Sequence, residues 1–283
     1  ERDHHALFRA LLLRKRLELK LPLINPGELK EQPPEVRKKY EAFVDETCRE
    51  IGQRYIEDRD IPQAWRYFRV VGDPEPVKIA LEKQDAPHVS EEILQVAIEQ
   101  GVHPRRGFQL ALECYGLCRA ITVYESEFST NLEDKKYAAS LLVQALYKEL
   151  VAAVAGRIHE RFGETPPETD LVELIRHRPW LFTDGATHAD PQHVAAVARI
   201  GLIVESESDL IMTLSIAEYG RMLSTEHQPS PRAPFDDGFS DYAKYARALL
   251  GQGAGDTIHH FRTRVAMYSG EETFPAELLV LLL

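Results

Sequence analysis

Between residues 48 and 76 the small, apolar and aromatic residues fall at spacings that fix two helices and the contact between them. The stretch reads Cys48-x2-Ile51-Gly52-x2-Tyr55, then Ala64-x3-Phe68-x2-Val71-x4-Pro76. Side chains three and four positions apart share one face of a helix, so each half presents a stripe to the other. Asp60 and Pro62 mark the start of the second helix. Asp is a favoured N-cap, and Pro costs little in the first turn, where its missing N–H would have no partner. Tyr55, Ala64 and Phe68 are expected to pack.

The helical signal extends over nearly the whole chain. Apolar residues recur at helical spacing in about a dozen segments, separated by Pro, Gly and short polar turns. In residues 4–20, Leu7, Leu11 and Leu12 share one face and Arg9, Lys15 and Arg16 the other. Pro22, Pro26, Gly27, Pro33 and Pro34 then make a loop. Further helices are expected at about 35–58, 60–72, 76–83, 90–101, 105–127 and 132–162, with Ser90 capping one of them. After a break at Gly163 to Pro167 the pattern resumes at 169–177, 190–204, 210–223, 239–251, 255–268 and 274–283. In Ile200-Gly201 … Thr213-x3-Ala217-x2-Gly220 small residues stand where helices would cross closely. No convincing period-two strand is present. The expected fold is all-α, an irregular superhelix of stacked antiparallel helical hairpins. It divides softly into an N-terminal half, 1–165, and a C-terminal half, 166–283. The closing Leu278–Leu283 run reads as one helix of a pair whose partner lies beyond the end.

Residues 45–78 resemble a tetratricopeptide repeat. Every marked position of that repeat agrees in spacing and class except the first, where Cys48 stands in place of Trp, and no second unit follows at the same period. The remainder resembles irregular helical-repeat proteins of bacteria. The resemblance implies a right-handed superhelix whose concave groove binds a protein or peptide segment.

Composition removes other classes. The chain has 283 residues, with 34 Lys plus Arg against 45 Asp plus Glu and a net charge of -11. That balance disfavours the phosphate backbone of duplex nucleic acid as main ligand. No run of about 18 uninterrupted apolar residues appears, so no membrane span is expected. Three cysteines, Cys48, Cys114 and Cys118, make no disulfide framework. They fit a reducing, cytoplasmic setting and ordinary helical packing. A Gly-rich phosphate loop, H-E-x-x-H and G-x-S-x-G are all missing.

Three constellations could carry chemistry. His188-x-Asp190-x-x-His193 places two imidazoles and a carboxylate where a loop meets a helix start. Such a set suits a divalent metal such as Zn or Fe(II), with a fourth donor from His103, His159 or His177. It would make the chain a metal-dependent hydrolytic or oxidative enzyme. The competing reading makes Asp190, before Pro191, a helix cap and His193 a surface residue. His103, Arg105 and Arg106 open another helix and could hold an anion, or form an ordinary turn with solvated or paired arginines. Arg119 lies in an apolar helix, where it needs an acidic partner or a ligand. The doublets His4-His5 and His259-His260 read as surface features. The leading expectation is a non-catalytic scaffold for a protein or peptide partner, with no cofactor. The metal-dependent enzyme is the alternative.

Overall fold

The computed structural model describes residues 3–23, 29, 31–126, 128, 131–230 and 235–267, with the side chains of 265–267 excepted. The helix expected at 274–283 lies outside the described residues. Within them the chain is all-helical and forms no strand. It folds as two compact units, Glu1–Cys114 and Tyr115–Leu283. The Gly163 to Pro167 break therefore falls inside the second unit.

The first unit begins with α1 (His4–Glu18), capped by Asp3, whose Oδ1 accepts from Ala6 N at 2.8 Å. Next come α2 (Pro34–Glu57), α3 (Ile61–Phe68) and α4 (Glu75–Glu82). Asp60 caps α3 as its side chain predicts, accepting from Gln63 N at 3.0 Å. The α2–α3 pair is a hairpin. Gly52 and Phe68, about equally far from the turn, meet face to face. A Cβ on Gly52 would stand 2.6 Å from Phe68 Cε2, closer than carbon atoms approach. Glycine lets the edge of the Phe68 ring approach the α2 backbone closely, and both residues are buried. The spacing in the sequence thus records a real packing contact. Cys48, Ile51 and Tyr67 form a core cluster on which Leu7 and Phe8 of α1 pack, with Val44, Tyr55 and Val71. Short α5 (Glu91–Leu94) follows its Ser90 cap and continues into a wider π turn, Gln95–Glu99.

Helix α6 (Pro104–Ser126) is interrupted at Gly116, where φ is +73° and ψ is -173°. An L side chain resists that conformation and glycine does not. The apolar run is therefore two helical stretches within Pro104–Ser126, broken close to the boundary between the units.

The second unit is built on α7 (Leu132–Phe162), 31 residues long. Asn131 caps its start, and Gly163 ends it with φ +78°. By length and composition α7 could cross a membrane. Its Leu142, Leu146, Leu150 and Val154 stripe is fully buried, and the helix packs on α8 (Leu171–Ile175), α9 (Pro191–Ile200) and α10 (Glu207–Arg221). Asp209 of α10, buried beneath α7, accepts from Ser140 Oγ at 2.7 Å and Gln144 Nε2 at 3.0 Å. The small residues at 201 and 220 sit at close crossings. Gly201 faces Thr213, and Gly220 faces the Phe239 ring. Helices α11 (Gly238–Leu249) and α12 (Ala254–Met267) complete the described chain. Asp241 of α11 pins this pair. It is wholly buried and bonds to Arg264 and His260 of α12.

Candidate functional site

A wide concavity belongs to the first unit, on the hairpin marked by the repeat-like spacing. It is a cleft of about 1300 Å³. Helix α1 contributes Asp3, His5 and Phe8, α2 contributes Val44, Cys48 and Tyr55, and Asp58 and Asp60 lie in the turn that follows. Gln63, Arg66, Tyr67 and Val70 come from α3 and just beyond it. Helical spacing explains the set: Val44, Cys48 and Tyr55 recur on one face of α2, and Gln63, Arg66, Tyr67 and Val70 on one face of the next segment.

The cleft floor is aromatic and hydrogen-bonded. Tyr55 and Tyr67 stack with centroids 5.6 Å apart, and Phe8 meets Tyr67 edge-on at 5.2 Å. Tyr67 Oη and His5 Nδ1 share a hydrogen bond of 2.8 Å. Burial, reinforced by neighbouring Tyr55, Cys48 and Asp3, pushes the Tyr67 phenol up to about 12, so it remains protonated. Burial, with the Asp45 charge adding to it, also raises the Cys48 thiol, which disfavours the reactive thiolate. His4 Nε2 bonds to Asp58 Oδ2 at 2.7 Å and its ring lies edge-on to Tyr55. Only half of the histidine doublet is a surface feature: His4 is buried, while His5 is exposed and faces the cleft.

The residues singled out in sequence lie elsewhere. His103 Nε2 bonds to Glu82 Oε1 at 2.6 Å. Arg106 donates to the carbonyls of Leu81 and Gln84, at 3.4 and 2.6 Å. Both side chains reach back to the end of α4, whose last carbonyls lack helical partners and favour a cation. Arg106 therefore closes a helix end. Arg105 is exposed and Arg119 half-buried, and both are engaged in interactions of their own.

At the other constellation, Asp190 Oδ1 caps α9 by accepting from Gln192 N at 2.8 Å. His188 turns its Nδ1 to Tyr219 Oη at 3.0 Å, and the same oxygen accepts from His188 N at 2.9 Å. Tyr219 can then donate its hydroxyl proton to Nδ1, which leaves the imidazole neutral. His193 is half-buried in the first turn of α9. Among the described residues no group of three or more His, Cys, Asp or Glu side chains is arranged to hold a metal ion.

Burial lowers the His188 pKa, and the Arg157 charge lowers it further. The unfolded chain therefore takes up a proton at His188 before the folded one does. The stability from this group is full above about 6.5, the ordinary imidazole value, and declines as pH falls below it. Urea unfolding of the wild type should lose more midpoint between neutral and mildly acidic pH than unfolding of His188→Gln. Equal losses would show that His188 carries no such linkage.

Several cleft residues carried no functional signal in the sequence. Tyr55 was expected to pack, and Asp58 and Asp60 belong to an ordinary helix turn. Their one shared mark is clustering at the hairpin that the 48–76 spacing defines. Comparison with protein-family models, curated proteins and solved structures finds no match to this chain.

Proposed function

We infer that the chain is a non-catalytic helical-repeat protein, with α2–α3 as a tetratricopeptide-like hairpin in an α-α superhelix, and that the cleft on it holds an extended segment of a partner protein. The observation that carries this reading is the cleft. Its volume of about 1300 Å³ exceeds the roughly 300–1,000 Å³ typical of small-molecule pockets. Exposed Asp3, Asp58, Arg66 and Val70 surround an aromatic floor. Such a mixture suits a peptide, which offers both apolar side chains and unpaired backbone groups.

The cleft side chains favour binding over chemistry. Tyr67 stays protonated, Cys48 stays a thiol, and His4 and His5 are tied to Asp58 and Tyr67. Selection of displayed peptides against the purified chain, followed by NMR mapping of an enriched peptide, tests the reading. Amide shifts are expected at Phe8, Tyr55, Gln63, Tyr67 and Val70. Failure to enrich any peptide, or shifts confined to the second unit, would overturn it.

A further inference from the structure

The charges in the cleft narrow the class of segment it takes. Its described lining holds three carboxylates, Asp3, Asp58 and Asp60, against one guanidinium, Arg66. Each carboxylate commits one oxygen to the fold. Asp3 Oδ1 accepts from Ala6 N, Asp60 Oδ1 from Gln63 N, and Asp58 Oδ2 bonds to His4. The second oxygen of each has no hydrogen bond to a described residue. Three acceptors thus remain for a ligand that donates. Phe8, Tyr55 and Tyr67 give the same cleft an apolar wall.

Carboxylates beside aromatic rings match one kind of side chain: a long aliphatic stem that ends in a cation. Lysine and arginine lay their methylenes along apolar surface and keep the charged head among acceptors. An aromatic face adds attraction for that head. Resting on the peptide-groove reading above, the geometry points to a partner segment that bears lysine or arginine, its cation held by Asp3, Asp58 and Asp60. The chain's net charge of -11 would steer such a segment inward. An acidic segment would meet three like charges.

The test uses the full chain and three fluorescent peptides of one leucine–serine frame, carrying lysine, glutamine or glutamate at the same positions. Anisotropy should show the lysine peptide bound most tightly and the glutamate peptide least. A variant carrying Asp3→Asn, Asp58→Asn and Asp60→Asn removes the charges and keeps the caps, because Asn caps helices as well as Asp. Its thermal melt should match the wild type. Its affinity for the lysine peptide should fall about tenfold, the product of three modest exposed ion pairs.

A control variant with Glu46→Gln, Glu50→Gln and Glu149→Gln removes as many charges from exposed positions outside the cleft. At physiological salt it should lose about twofold at most. Equal losses in the two variants, or a glutamate peptide bound as tightly as the lysine peptide, would overturn the charge assignment and leave the groove standing. Failure of all three peptides to bind would overturn the groove reading, and this inference with it.

Discussion

Replacing Asp241 with alanine is expected to destabilise the second unit by about 3–5 kcal/mol, the cost of breaking one side of a buried ion pair. Asp241 is 0% exposed. Its Oδ1 takes the His260 Nε2 bond at 2.8 Å, and its Oδ2 accepts from Asp237 N at 2.9 Å and from Arg264. Alanine leaves the Arg264 guanidinium, largely enclosed in α12, beside a carboxylate-sized void. Asp236 also approaches it, at 3.8 Å. The Asp237 N–H loses its acceptor as well. Asp241→Asn keeps the volume and one acceptor oxygen but removes the charge, so it should cost less than alanine. Urea unfolding followed by far-ultraviolet circular dichroism gives both values. A loss below about 1 kcal/mol for alanine would mean that water replaces the carboxylate at little cost and that the network is peripheral to folding. The two variants in reverse order would show that shape outweighs charge at this position.

The features legible in the sequence are local ones. Asp60, Ser90 and Asp190 cap helices because a cap acts on backbone N–H groups two or three residues away. The packing of Ala64 and Phe68 was legible because helical spacing puts them on one apolar face, whereas the Gly52 backbone that Phe68 meets was not. What the sequence hides depends on where distant elements land. His4 meets Asp58 across 54 positions, and His5 meets Tyr67 across 62. No helical period reports that α1 folds against this hairpin, so buried His4 looks like a surface residue and the partner of exposed His5 stays hidden. Arg106 looked available to an anion because its acceptors, the carbonyls of Leu81 and Gln84, belong to the end of another helix. His188, Asp190 and His193 are close in sequence, yet His188 takes its partner from Tyr219, 31 positions on. Gly116 shows the opposite failure. Its apolar flanks continue the helical period, and the residue itself allows a break within α6, close to the boundary between the units.

Phe68→Ala is expected to cost about 3–5 kcal/mol, the usual range for emptying a buried aromatic site. The more telling result concerns Gly52. Gly52→Ala in the wild type would place a methyl carbon 2.6 Å from Phe68 Cε2 and 2.8 Å from Cδ2. The ring is enclosed on its other side and has little room to retreat, so overpacking should cost about 1–3 kcal/mol. A gain of roughly 1 kcal/mol in helix propensity offsets part of that. With Phe68 already alanine the obstruction is gone. The propensity gain then stands alone, and the new methyl fills part of the vacated space. Gly52→Ala should therefore destabilise the wild type and stabilise Phe68→Ala. Four chemical denaturation curves close this double-mutant cycle and give the coupling directly. A sign reversal identifies the glycine as a socket for the phenylalanine ring, the packing role that the shared spacing of positions 52 and 68 implies. Additive effects would mean that the two positions act independently, and the repeat-like spacing would lose its physical basis.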